Sequence, residues 1–223
     1  MRKFDQIFAI AAKRKGDLEQ RIADWEAPKT KTELAGIPDD RWLSCMTRCV
    51  FQAGFNWKVV EAMWPGFEVA FEGFDVGRAT MLNDDDLARL VSDKRIIRNG
   101  QKISSVQRNA VFLNDLVARH GSAGAFFGGW PSDDFSSLLT LMKKQGSRLG
   151  GNTGRYFLRS MGVNSFLLSR DVTARLIAEG VVDKEPTSQK DMAAVQQAFN
   201  TWCQQSGHGL TYVSRILALS VGI

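Results

Sequence analysis

Metal-ligating residues are scarce. The chain has three cysteines, Cys45, Cys49 and Cys203, in 223 residues, and two histidines, His120 and His208. There is no CxxC pair, so no familiar zinc or iron–sulfur pattern can be assembled. Neither histidine is paired with a cysteine or serine nucleophile. The expectation is an absence of metal and of cofactor. Cys45 and Cys49 lie four apart and share one face of a helix. They read as buried thiols in a reducing, cytoplasmic compartment. No apolar run is long enough to span a membrane, and no stretch reads as a secretory signal. No segment sustains period-two alternation, and there is no repeat or low-complexity tract. The class expected is all-α. Net charge is +5 with a pI near 9.2, which favours an acidic partner.

What is present is a succession of helical patterns. Arg2–Lys13 and Gly16–Trp25 read as two helices. Ala27–Pro38 holds two of the five prolines and reads as a loop or linker. Asp39 or Asp40 opens a helix carrying Trp42, Leu43, Met46 and Val50 at helical spacing, as far as Gly54. Trp57–Trp64 reads as a helix stopped by Pro65-Gly66. The acidic start at Asn83–Asp86 suits a helix dipole. Lys102–His120 is the longest helix, with Ile103, Val106, Ala110, Leu113 and Val117 along one side. Gly121–Trp130 reads as a Gly/Phe-rich loop with room for one helical turn. Ser169 or Asp171 opens Val172–Glu179, and Asp191–Gln205 and Leu210–Val221 follow.

The chain is organised around Lys143–Gly162, KKQGSRLGGNTGRYFLRSMG. A helix stops near Gly146. Gly150-Gly151 permits the positive φ of a sharp turn. Asn152-Thr153 can cap a second helix whose apolar side is Tyr156, Leu158 and Met161. Backbone N–H groups of Gly150, Gly151, Asn152 and Thr153, beside a helix N-terminus, suit a phosphate. The basic flanks, Arg155 among them, suit a polyanion. An ordinary helix corner with a solvated basic face is the alternative.

Residues 51–110 add a family signal. Gln52-Ala53-Gly54-Phe55-Asn56-Trp57, Phe71 through Phe74-Asp75, Asp86-Leu87 to Leu90, Ile96-Ile97-Arg98-Asn99, Lys102-Ile103 and Asn109-Ala110 together resemble the 3-methyladenine DNA glycosylase I family. The hairpin is similar to that family's helix–hairpin–helix element, so the likeness spans about residues 40–165. It implies an all-α, helix–hairpin–helix DNA glycosylase-like fold with two helical lobes around a base pocket. One helical domain over 1–223 is expected. Its glycosylase-like core is 39–182, its hairpin 143–162, and its flanking helices 1–38 and 183–223. The implied partner is duplex DNA containing a damaged base, bound by a monomer. The implied reaction is hydrolysis of the N-glycosidic bond of an alkylated purine such as 3-methyladenine.

The chain departs from the family in two places. The cysteines and histidines of the family's zinc site are absent. The family's pocket glutamate lies eight residues before the tryptophan matched by Trp57, and that count lands on Cys49. A thiol is no carboxylate acceptor for a cationic purine. A protein that keeps the fold and binds DNA without catalysis is the alternative.

Excising a base requires extruding it, holding it and stabilising an oxocarbenium-like sugar. Trp57 is the candidate stacking face, with Gln52, Phe55 and Cys49 around it; its alternative is core packing beside Phe51 and Phe55. Asp171 is the candidate anion; its alternative is a helix cap. Glu33 and Glu26 are substitutes for the missing carboxylate; their alternative is solvated surface. Arg98 and Lys102 are candidates for DNA phosphate, alongside the hairpin. Bifunctional superfamily members use a lysine in the helix after the hairpin. Here Arg155 stands there, and an arginine forms no Schiff base. Water is therefore the expected nucleophile.

Overall fold

The computed structural model describes residues 1–221, and every described regular element is helical. The chain divides into two compact units. The first comprises Met1–Pro28, Pro131–Leu138 and the chain from Asn164 onward; the second comprises Lys29–Trp130 and Leu139–Val163.

In the first unit, α14 (Leu210–Ser220) packs against α1 (Phe4–Lys15), α12 (Arg170–Ala178) and α13 (Gln189–Ser206), with α2 (Leu18–Ala23) following α1. Phe4, Ile7 and Ala11 recur at helical spacing, which is why α1 buries one face. Phe135, Phe166, Phe199 and Trp202 form a chain of ring contacts 4.5–5.9 Å between centroids. The Trp202 indole donates to the carbonyl of Arg2 at 3.1 Å, as most buried indoles find a partner. Glu179 is buried at the end of α12. Its carboxylate accepts from the backbone N–H of Arg2 at 2.8 Å and from the guanidiniums of Arg2 and Arg175 at 2.9 and 3.2 Å.

The second unit is built around α4 (Asp39–Gln52), which touches α5 (Trp57–Ala70), α8 (Gly100–His120), α9 (Ala123–Gly129) and α11 (Gly151–Met161). Trp42 explains that position. Its ring is fully buried, stacked on Phe127 at 5.0 Å and edge-on to Phe157 at 5.8 Å. The rest of the unit is α3 (Lys31–Ala35), α6 (Val76–Thr80), α7 (Asp84–Ser92) and the later turns of α10 (Phe135–Gln145).

Three segments differ from the pattern-based reading. The expected linker contains α3, closed by a capping box in which Thr30 accepts from the Glu33 N–H and Glu33 accepts from that of Thr30. The expected loop at Gly121–Trp130 contains α9, capped by Ser122. Its glycines let α3 approach: a Cβ on Gly124 would lie 1.9 Å from the carbonyl oxygen of Leu34. Pro65 does not stop α5, which continues to Ala70. The proline forgoes one hydrogen bond, to the carbonyl of Glu61 four residues back. Packing offsets that loss, because Trp64 stacks on Phe67 and Phe74 at 4.9 and 5.6 Å. Gly66 also admits the Arg95 carbonyl, which would sit 2.3 Å from any Cβ there.

Candidate active site

The turn from α4 to α5 carries the aromatic candidates. Gly54 takes φ +67°, which lets the chain reverse. The Asn56 side chain accepts from the Lys58 N–H at 3.0 Å and caps α5. The last carbonyls of α4 need donors, and Lys102 of α8 supplies one. Its ammonium donates to the carbonyls of Phe51 and Ala53 at 3.0 and 2.8 Å. Burial, with the nearby Arg148 charge, lowers its pKa. Lys102, expected on DNA phosphate, is thus engaged in holding this turn.

On the fixed turn, Phe55 and Trp57 project outward, 45% and 49% exposed. Core packing for Trp57 is excluded. Its neighbour in the sequence-based alternative, Phe51, is fully buried against Phe67 at 4.7 Å. Trp57 instead meets Tyr156 of α11 edge-on at 5.4 Å. Gln52 is buried, and its amide donates to the carboxylate of Glu61 at 2.7 Å. Cys49 is buried one turn earlier. The Cys45 thiol donates to it, and that bond, aided by the Arg48 charge and the Ser160 hydroxyl, holds Cys49 below the usual thiol value despite burial. Cys45, as the donor, is pushed well up. Tyr156, Ser160 and Glu61 are the site residues that sequence reasoning missed. Four-residue spacings, Trp57 to Glu61 and Tyr156 to Ser160, were their signal.

The hairpin forms as its glycines require. Arg148 takes φ +62° and Gly151 φ +60°. Leu149 is buried as the anchor, and Gly154 passes so close that a Cβ would lie 2.4 Å from the Leu149 carbonyl. Asn109 of α8, fully buried, clamps the turn from behind. It donates to the carbonyl of Ser147 at 3.1 Å and accepts from its N–H at 2.7 Å. Gly150, extended, precedes α11 and offers no side-chain cap. Gly151 and Asn152 are exposed, with Thr153 half-buried. Arg155 is 8% exposed, and its guanidinium donates to the Asn152 side chain at 3.0 Å. It shapes the hairpin from inside. Arg98 is exposed on the turn before α8.

The candidate carboxylates are dispersed. Glu33 is exposed, and its carboxylate is taken up by the backbone N–H and hydroxyl of Thr30, both at 2.7 Å, which lower its pKa. Glu26 is exposed in the first unit. Asp171, also in the first unit, lies in the first turn of α12 and lines a cavity of about 460 Å³ with Lys15, Arg170 and Ala174. Capping of α12 falls to Ser169, which accepts from the Val172 N–H at 3.2 Å. The cap alternative for Asp171 is thereby excluded.

The residues present do not fit the zinc site implied by the resemblance. Among the described residues no group of three or more His, Cys, Asp or Glu side chains could hold a metal ion. Among them, too, no helix is long and apolar enough to cross a membrane.

The fold has solved counterparts. A 3-methyladenine DNA glycosylase I is 23% identical, with 62% of this chain and 83% of that one covered and a TM-score of 0.51. The Staphylococcus aureus 3-methyladenine DNA glycosylase I is 19% identical, covering 59% and 84%, also with a TM-score of 0.51. A Methanocaldococcus jannaschii 8-oxoguanine glycosylase/lyase, solved with DNA containing 8-oxoguanine, is 11% identical but covers 96% and 95%, with a TM-score of 0.52. These likenesses concern the fold. The family model for methyladenine glycosylases matches residues 36–147, half of the 223 residues, and takes in α4, the Trp57 turn, the Asn109 clamp and the start of the hairpin; the chain belongs to the methyladenine glycosylase family of DNA repair enzymes.

Proposed function

We propose that the protein is a monofunctional DNA glycosylase that extrudes an alkylated purine, of the 3-methyladenine kind, from duplex DNA and hydrolyses its N-glycosidic bond. The observation that carries this reading is Trp57. It is half exposed, edge-packed on Tyr156, and held on a turn pinned by Lys102. Indole in such a setting offers a rigid face for an unstacked base. The hairpin N–H groups at Gly150–Thr153 grip a phosphate, with Arg98 contributing charge. Asp171 supplies negative charge as the sugar becomes oxocarbenium-like. Water completes the hydrolysis, because the guanidinium of Arg155 stays protonated and cannot form an imine.

Incubating the protein with methylated duplex DNA and separating freed bases by chromatography tests the activity. Released 3-methyladenine is expected. A second reading, DNA binding without catalysis, is favoured by the thiol at Cys49. Tight binding to abasic-site DNA with no base released would establish it.

The two basic candidates should separate by salt dependence. Arg98→Ala should reduce the slope of log K against log salt by about 0.9, the loss of one phosphate contact. Lys102→Met should lower the melting temperature and leave that slope unchanged, since its ammonium caps α4. At the hairpin, Gly151→Val should weaken abasic-site binding by roughly 1–3 kcal/mol, because valine is strained at positive φ and crowds the phosphate. Unchanged binding by a folded Gly151→Val protein would remove the hairpin from the interface.

A further inference from the structure

Three contacts and three helical spacings close a ring around one spot on the second unit. Trp57 meets Tyr156 at 5.4 Å. One turn along α11, Ser160 hydrogen-bonds Cys49. Gln52 follows Cys49 by three residues on α4, and its amide donates to Glu61 at 2.7 Å. Glu61 stands four residues after Trp57 on α5, the spacing that puts two side chains on one face. Three helices thus present an aromatic wall, a thiol, an amide and a carboxylate to the same place. From the proposed function, what enters is a planar, positively charged purine.

The thiol is poorly suited to that charge. Cys49 is buried and already accepts from Cys45 and Ser160. Three other carboxylates of the unit are committed elsewhere. Glu68 binds Arg41, Ser44 and Trp64. Asp93 binds Arg95, and Asp75 caps α6. Glu61 is different. Its side chain is 49% exposed, and its one ion pair, to Arg48, is loose at 3.8 Å. The Arg48 guanidinium also lies over the Trp64 ring at 4.6 Å, which draws it away. The Gln52 amide orients the carboxylate through one oxygen, and the other stands 3.8 Å from the Arg48 guanidinium.

We propose that Glu61 is the carboxylate that receives the positive charge of the extruded base, opposite the aromatic wall of Trp57 and Tyr156. This rests on the glycosylase reading and names the residue that selects cationic bases. The role passes from α4, where Cys49 stands, to α5.

The test uses the full-length protein and two small probes at pH 7. One is 3,9-dimethyladeninium, a fixed cation mimicking the alkylated nucleoside. The other is 9-methyladenine, its neutral counterpart. Binding is read by calorimetry, and folding by helical circular dichroism. The parent is expected to prefer the cation at least tenfold. Glu61→Gln keeps the shape and the Gln52 hydrogen bond, and is expected to abolish that preference while leaving the neutral probe unchanged. A folded Glu61→Gln protein with the parental preference overturns the proposal, as does a parent that prefers neither probe. Base release from methylated DNA is measured in parallel. Glu61-dependent cation binding without base release removes the catalytic reading and keeps Glu61. Base release at equal rates by the parent and Glu61→Gln, with equal cation preference, removes Glu61 and keeps the catalytic reading.

Discussion

Asp171→Asn should bind abasic-site DNA as tightly as the parent protein, or more tightly, while releasing the damaged base about a hundredfold more slowly. The two effects separate because they act at different moments. Binding brings a carboxylate towards phosphates, so neutralising it relieves repulsion. Chemistry develops positive charge on the sugar, and there the anion acts on the transition state more than on the bound ground state. Ser169 strengthens the expectation. It caps α12, so the amide substitution leaves the helix start intact. Single-turnover excision, beside a binding isotherm on abasic-site DNA, measures both quantities. Parental excision by Asp171→Asn would assign the chemistry to the cationic base leaving unaided.

Glu179→Ala should be strongly destabilising, by about 3–5 kcal/mol, because it strands a buried guanidinium. The Glu179 side chain is 1% exposed and that of Arg175 is 9%. Arg175 keeps its bonds to the hydroxyl and carbonyl of Ser220, but loses its anion. Removing both charges, as Arg175→Met with Glu179→Ala, should recover much of the loss. Denaturant melts of the three variants test this. Stability should also depend on pH. Burial disfavours the Glu179 anion, yet its bonds from the Arg2 backbone and from the Arg2 and Arg175 side chains outweigh burial and lower its pKa. The folded pKa lies below the unfolded one, so the folded state holds fewer protons across the interval. The contribution is complete above the unfolded value and fades as pH falls through the folded value. Glu68 has the same sign in the second unit, where Arg41 and Ser44 outweigh burial. Acid should therefore weaken both units, and Glu179→Ala should flatten the dependence for the first.

The readable parts of the sequence were those governed by neighbours in the chain. Helical spacing on α4 and α8 and the glycines of the hairpin act within a few residues, and the structure bears their pattern. Trp57 was readable as a candidate for the same reason, in a short run before a capping asparagine. What escaped reading depends on distant partners. α9 looked like a loop because glycine is a poor helix former. Its glycines are there because α3 lies against them. Pro65 looked like a stop because its cost is local and its compensation, the stack on Phe67 and Phe74, is tertiary. Lys102 was visible as a charge, but its acceptors lie 51 and 49 residues away. Glu61 was marked in its own segment only by its spacing from Trp57, which many surface residues share. The amide that orients it belongs to another helix.

Helix α8 holds two unrelated turns from behind. Lys102 pins the turn before Trp57, and Asn109 pins the hairpin. The two residues are seven apart on one uninterrupted helix, about two turns or 10 Å of rise. The helix is therefore a ruler. On the proposed function, the gap between the phosphate at the hairpin and the base at Trp57 is a length set at folding. A lesion would then be accepted when the distorted duplex can meet that length, so the nucleic acid supplies the adjustment and the protein the gauge.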